Sequence, residues 1–479
     1  MRVLKAVKPT KEQLPLVLND RPGVAVIRGA AGSGKTTTSL LRLRQLCAVR
    51  RARRTRLGET APVRVLVLTF NRSLAGYVEA LAREQVAEGV DLQLEVRTFA
   101  KWAESLCRTD IMDQTDAHVQ IIALGRRLGL PARFITEELD YILGRYSPSN
   151  LSDYLTRDRD GRGSRPRIDK KLYFDSVVSP YVAWKNKNGL FDWHDLATRT
   201  VGAVSSGCDI IIVDEAQDFS ANQIRAVVAH LTAEGSLTFV LDTAQRIYPR
   251  FHTWREVGLS ASTFVMNERL TANKRNTRQI AAFARPLIEG LTLDENGEMP
   301  DFTSATEDGE LPVLHAGSFN DQLAVMVEFL RNVDLARESV GILHPLGGGW
   351  FDTLRKRLVA ENIQFVELSQ ERAWPTGPEN VGLSTLHSAK GLEFDHVILC
   401  GIMARTAGAH AELEDNASQV QRRLFAMGWV ERGRGCSSPM TIETQRECWN
   451  IFRSGHIRTL DRRVCCDSCR RRVHIGIPC

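Results

Sequence analysis

Residues 23–37 read GVAVIRGAAGSGKTT, and the two halves of this stretch decide the architecture. GVAVIR is a short apolar run with no alternation, as in a strand covered on both faces of a parallel sheet. GAAGSGKT satisfies G-x-x-x-x-G-K-[ST] at Gly29, Gly34, Lys35 and Thr36. Glycines at those places let backbone N–H groups close around a phosphate. The helix that follows turns its positive end toward the anion. Lys35 would neutralise phosphate oxygens, and the Thr36 hydroxyl would ligate Mg2+. Gly29, Ala30, Ala31, Gly32, Ser33, Gly34, Lys35, Thr36 and Thr37 are thus the expected cradle for a nucleoside triphosphate.

Outward from this loop, the same strand pattern recurs at 63–70, 208–215, 237–242, 340–344 and 395–401. Helical spacing fills stretches between them, at 35–50 and 221–233 for example. Strands alternating with helices predict an α/β fold with parallel sheets. IIIVDEAQD (210–218) sets Asp214 and Glu215 just past a buried strand, at the edge where ligands sit in open α/β sheets. Asp214 is expected to hold Mg2+, and Glu215 to orient and deprotonate an attacking water. Residues 101–200 are mostly helical in pattern, interrupted by the charged stretch 157–171, and suggest an inserted subdomain. RRARRTR (50–56) reads as a basic loop, either solvated or in contact with phosphate.

The chain has 479 residues, enough for several domains, and a net charge of +6 with ten cysteines. That charge is unevenly distributed. Residues 421–479 hold 12 Arg, no Lys, five acids and six of the cysteines, whereas the rest holds 51 basic and 52 acidic groups. The charge total is therefore no sign of nucleic-acid binding. No apolar run approaches the ~18 residues of a membrane helix, and MRVLKAVKPTKEQ lacks the apolar stretch of a secretory signal. A cytoplasmic protein with reduced cysteines and no membrane partner is expected.

The phosphate loop together with DEAQD resembles superfamily-1 helicases of the UvrD/Rep-like group, and further segments extend the resemblance in the expected order. Gln13 in KPTKEQ resembles the group's adenine-reading glutamine. TFNRSLAGYV (69–78) and TFAKWAESL (98–106) resemble its two early strand-contacting motifs, and FDWHDL (191–196) the acidic-aromatic helix before DEAQD. LDTAQRIY (241–248) resembles the third motif, with Gln245 sensing the γ-phosphate. NKRNTRQI (273–280) resembles the fourth, with Arg275 on the γ-phosphate, and LSTLHSAKGLEFDHVIL (383–399) the fifth.

The resemblance implies two RecA-like lobes with ATP and Mg2+ between them and a strand of single-stranded DNA across both. Residues 1–100 and 191–262 would form the first lobe, 101–190 the helical insert and 263–425 the second lobe, leaving 426–479 as an aberrant tail. Phe70, Phe99, Tyr248, Phe251 and Trp254 are candidates to stack on bases. Asn71, Thr98, Thr385 and His387 match positions that contact the strand or relay the nucleotide state. The implied activity is ATP-dependent translocation or unwinding, 3′ to 5′. Two alternatives stay open: a nucleotide-gated single-strand binder without useful turnover, and a P-loop switch or scaffold that does not touch nucleic acid.

Three departures from the family pattern stand out. Lys274 occupies the place of a base-stacking tyrosine and offers a cation–π contact instead. About 110 residues separate Arg275 from Thr385, too few for the large accessory subdomain, so a partner such as a nuclease is expected to assist unwinding. The sixth motif, whose arginine is a second finger on the γ-phosphate, is absent after QRRLF (421–425). Ala426–Gly433, AMGWVERG, must be encoded GCN ATG GGN TGG GTN GAR and so on. Read from the last base of the alanine codon, the same bases permit Tyr-Gly-Leu-Gly-Arg-Ala-Arg, the awaited motif. A single-base frameshift near codon 426 would account for the lysine-free, cysteine-rich tail; a zinc module on Cys465, Cys466, Cys469, His474 and Cys479 and an ordinary disordered tail are the alternatives.

Overall fold

The computed structural model describes residues 9–29, 32–70, 72–86, 89–159, 168–204, 207–241, 253–271, 273–288, 305–309, 312–316, 318–345, 347–368, 375, 377–402, 439–442 and 472–473. Six strands form the first sheet: β1 (Gly23–Gly29), β2 (Val63–Thr69), β3 (Leu92–Thr98), β4 (Cys208–Val213), β5 (Leu231–Leu241) and β6 (Phe264–Leu270). Their order is β3-β2-β4-β5-β1-β6, and every pairing is parallel. Val24, Ala25, Val26 and Ile27 of β1 and Ile210 to Val213 of β4 are all buried, as unalternating apolar runs require.

The sheet is covered on both faces. Helices α1 (Leu14–Leu18), α2 (Lys35–Leu57) and α3 (Arg72–Gln85) are the first in the chain. Leu43 and Leu46 of α2 and Tyr77 and Val78 of α3 pack with Val65, Val67 and Ile210 on one face. Helices α4 (Phe99–Cys107), α9 (Trp193–Val201) and α10 (Ala221–Ala229) pack on the other, where Trp102, Leu196 and Ile224 meet Leu66 and Val213. Between α4 and α9 the insert contributes α5 (Gln114–Gly125), α6 (Ala132–Arg145), α7 (Lys170–Tyr173) and α8 (Ser179–Asn188). They share a separate core of Ile135, Leu139, Ile142, Tyr154, Tyr173 and Val178.

Two boundaries differ from the sequence reading. Phe99, Trp102 and Ala103 belong to the core of the first lobe, so α4 is part of that lobe and the insert begins after Cys107. β6, placed by sequence in the second lobe, hydrogen-bonds β1 and closes the first sheet. The RRARRTR stretch is not a loop. It forms the last turns of α2, with Arg51 on Asp91 (2.8 Å) and Arg54 on both oxygens of Asp209 (2.9 and 2.8 Å). The helix expected over 221–233 stops at Ala229, because β5 begins at Leu231.

Beyond the first lobe, β7 (Asn273–Thr277) pairs with β8 (Ala305–Glu307). β9 (Val313–Ala316) lies between β14 (Pro439–Ile442) and β15 (Arg472–Val473). The second lobe's main sheet has the order β11-β12-β10-β13, all parallel, from β10 (Val340–His344), β11 (Val366–Glu367), β12 (Val381–Thr385) and β13 (His396–Leu399). Of helices α11 (Arg278–Ile288), α12 (Phe319–Asn332) and α13 (Gly349–Ala360), the last two pack on this sheet through Met326, Leu330, Leu354 and Leu358. The lobes meet through apolar contact, since Leu386, Leu392 and Phe394 join the cluster that holds Leu43, Val65 and Tyr77. Two RecA-like parallel sheets with a helical insert in the first are thus the architecture.

Candidate active site

The phosphate loop leaves β1 and enters α2. Gly32 and Gly34 hold φ of 82° and 78°, the left-handed region open to glycine. Gly29 must also lack a side chain, because a Cβ there would stand 3.0 Å from the Leu270 carbonyl and strike the Ser33 hydroxyl. That hydroxyl is buried and has no hydrogen-bond partner among the described residues. A buried donor left open in a glycine cradle at a helix N-terminus is what a phosphate oxygen would satisfy. Lys35 opens α2 and is 8% exposed. Gln13 lies against the loop, since a Cβ on Gly34 would come within 2.7 Å of its Nε2. Its own Oε1 accepts the Thr10 N–H at 3.0 Å.

β5 stands between β1 and β4, which sets the two strand ends about 9–10 Å apart. The first turn of α2 spans this gap. The Thr36 hydroxyl donates to Asp214 Oδ2 at 3.1 Å. Two hard oxygen donors at that separation suit Mg2+, which takes few protein ligands and completes its shell with phosphate and water. Asp214 is 2% exposed, and its N–H bonds the Leu68 carbonyl at 2.8 Å. Burial, then the neighbouring Glu215, pushes its carboxyl up to about 7. A Mg2+ ion held there would have to displace that proton. Mg2+-dependent nucleotide affinity is therefore expected to fall up to about tenfold per pH unit below ~7. Titration of a fluorescent nucleotide at pH 6 and pH 8 measures this, and a flat profile would show that Asp214 carries no proton.

Glu215 adopts φ 53°, ψ 39°, a left-handed conformation that costs a non-glycine residue about 1–2 kcal/mol. Strain of this kind collects where a side chain must point to a fixed place. Burial alone would raise the Glu215 carboxyl, but the Lys390 and Lys35 ammoniums outweigh it and hold it below the ordinary value. The carboxylate is thus ionised at neutral pH.

Lys390 went without a role in the sequence reading, although it stands inside the quoted fifth motif. The segment after β12 carries it out of the second lobe. Its ammonium is 3.2 Å from Glu215 Oε2 and also bonds Asp218 Oδ2. Lys390 is 2% exposed and Asp218 0%. The two carboxylates hold the ammonium protonated, well above its ordinary range, against the opposing effect of burial. Asp218 and Lys390 are 172 positions apart, and no local pattern in the sequence could have paired them.

The expected strand-contacting residues divide. Phe70 ends β2 half-buried, edge-on to Phe219 at 6.3 Å. Thr385 ends β12 and accepts the Ser388 N–H at 3.1 Å, and His387 is exposed two residues later. Thr98 caps α4 by accepting the Lys101 N–H at 3.4 Å. Phe99 is a correction. At 4% exposure, packed on Trp102 and Phe219, it is a core residue with no free face for a base. Trp254 is half-buried, with its ring tilted over Phe239 at 5.0 Å and edge-on to Phe264 at 5.7 Å. Ala30, Ala31, Asn71, Gln245, Tyr248 and Phe251 lie outside the described residues, as does the AMGWVERG segment. Lys274 and Arg275 fall in β7, where only the backbone is described.

Among the described residues no helix is long and apolar enough to cross a membrane, and Cys47, Cys107, Cys208 and Cys400 are free. ATP-dependent DNA helicase UvrD2 of Mycobacterium bovis and of Mycobacterium tuberculosis are each 26% identical to the chain over 344 residues. That alignment is 64% of this chain and 47% of theirs, so the chain spans about half the length of the curated relatives it matches. Residues 353–428 match the UvrD-like helicase C-terminal domain. Residues 10–256, more than half of the chain and all of the phosphate-loop and DEAQD geometry, match the UvrD/REP helicase N-terminal domain, and the chain belongs to the UvrD/REP helicase family.

Proposed function

We propose that the chain is an ATP-dependent translocase or helicase on single-stranded DNA, moving 3′ to 5′, with the ATP site in the cleft between the lobes. The observation that carries this reading is the contact of Lys390, from the second lobe, with Glu215 beside the phosphate loop of the first. A catalytic carboxylate whose charge is set by the opposite lobe makes hydrolysis sensitive to how the lobes sit. Lys35 and Ser33 bind phosphate oxygens. Thr36 and Asp214 would hold Mg2+, which when bound would supply charge neutralisation on the triphosphate. Glu215 takes the proton of the water as it attacks the γ-phosphorus and the β–γ bond breaks. Gln245 and Arg275 complete the γ-phosphate shell, and Gln13 and Lys274 hold the base. Phe70, Asn71, Thr385 and His387 face the strand. The short stretch between Arg275 and Thr385 favours translocation by the chain alone and unwinding with a partner, for which a nuclease is the natural candidate.

The tail belongs to the same proposal. The C-terminal family match ends at residue 428, two residues past the codon where the reading frame is inferred to slip. Residues 426–479 are then out of frame, and the second arginine finger is missing from the printed chain.

The test is nucleotide and strand binding by the chain and by Lys35→Ala. The parent chain should bind single-stranded DNA with an affinity that falls steeply with salt. Lys35→Ala should keep DNA binding while losing roughly 10–100-fold in ATP affinity, the worth of a charge-assisted contact of about 1.5–3 kcal/mol. Absence of salt-dependent DNA binding would leave the switch or scaffold reading instead.

A further inference from the structure

A cavity of about 510 Å3 opens where the insert meets the first lobe, outside every motif discussed above. The insert supplies Arg145 at the end of α6, and Asn150 and Arg157 on and after the following 3-10 segment. The first lobe supplies Arg225 from α10, and Arg255 and Glu256 from the turn after Trp254. Its lining holds four arginines against two acids, Asp153 and Glu256.

The pairing within this lining is uneven. Glu256 Oε1 serves two guanidiniums, Arg145 at 2.7 Å and Arg157 at 3.6 Å. Asp153 reaches Arg157 at 3.0 Å. Arg225 donates only to neutral oxygens among the described residues: the Glu256 carbonyl at 2.9 Å, the Arg145 carbonyl at 2.8 Å and Asn222 Oδ1 at 2.5 Å. Arg255 is exposed and forms no ion pair among the described residues. Arg255 is therefore left without a carboxylate among the described residues, and the lining of this polar cavity keeps an excess of positive charge, four guanidiniums against two carboxylates. An anion with several acceptor oxygens is the group that completes such a site, and guanidinium forks match phosphate bidentately.

Resting on the proposed function, we infer that this cavity is a phosphate site that takes a backbone phosphodiester of the DNA strand as it crosses from the first lobe to the insert. The volume admits a phosphate with its attached sugar. Because both lobe and insert contribute arginines, an occupied site holds the insert in place against the lobe.

The experiment uses the full chain and an Arg157→Gln, Arg255→Gln double variant. Both residues are exposed, and matching thermal melts check that the variant folds. Anisotropy of a labelled oligo(dT) is followed against salt, and binding of an ATP analogue is measured alongside. The expected result is about tenfold weaker DNA binding, a log–log salt slope shallower by roughly 1 to 2, and unchanged nucleotide affinity. Calorimetry with pyrophosphate in a Lys35→Ala background separates a free phosphate from the strand. Pyrophosphate binding that the double variant abolishes, with oligo(dT) binding untouched, would overturn the strand assignment in favour of a small anion. No change in either arm would overturn the site altogether. A parent chain that fails to bind oligo(dT) would instead bring down the functional reading on which the site rests.

Discussion

Restoring the reading frame near codon 426 is expected to raise DNA-stimulated ATP turnover by about 10³–10⁵-fold, the range over which a trans-acting or cis-acting arginine finger accelerates phosphoryl transfer. The physical reason is charge. As the β–γ bond breaks, negative charge spreads over the transferring oxygens, and in the proposed mechanism Lys35 and Arg275 would cover part of it. The sixth-motif arginine would cover the rest from the second lobe, and only when the cleft is closed. The printed chain should thus bind ATP and turn it over slowly. Steady-state hydrolysis by the two chains at saturating oligo(dT) measures the difference, and equal rates would sink the frameshift. Sequencing through codons 421–435 tests it independently, because the shifted frame must encode arginine where AMGWVERG now stands.

Lys390→Met is expected to cost about 3–5 kcal/mol in stability, because it leaves Glu215 and Asp218 as buried carboxylates without their cation. In the parent chain Lys390 and Lys35 hold the Glu215 carboxyl below its unfolded value. That contribution is present above the unfolded carboxylate range and is lost as pH falls through the folded value. In the variant the sign reverses. An unpaired buried carboxyl has a raised value, so the variant is least stable at neutral pH and recovers as pH falls and the carboxyls protonate. Denaturant melts of both chains between pH 4 and pH 8 would show the two profiles converging toward acid. A second variant, Lys390→Met with Asp218→Asn and Glu215→Gln, should regain much of the stability and none of the hydrolysis. Parallel pH profiles for parent and Lys390→Met would mean that Lys390 is not the counter-ion of this site.

Much of the site was legible because it is local. The glycines that permit the loop, the lysine and threonine that follow, and the two acids at the end of an apolar strand are each dictated by neighbours within a few residues. The strands of the first sheet were equally readable where both faces are buried, as in Ile210–Val213. β3 and β6 were missed. LQLEVRT and FVMNERL carry charges because each lies at an edge of the sheet and is covered only in part. RRARRTR was misjudged because its arginines look like loop residues until Asp91, in the turn before β3, and Asp209, in β4, arrive to meet them.

What the sequence by itself determined, then, is the chemistry at each strand end: a phosphate cradle after β1, a carboxylate pair after β4 and the fifth-motif segment after β12. Only the tertiary structure decided which of these groups meet. Sheet order puts β5 between β1 and β4, so that Thr36 reaches Asp214 across it. Lobe packing buries Lys390 against Glu215 and Asp218, and burial with these charges moves the Asp214 carboxyl up while holding Glu215 down. Desolvation and Coulomb attraction act through space over a few ångströms, whatever the separation along the chain.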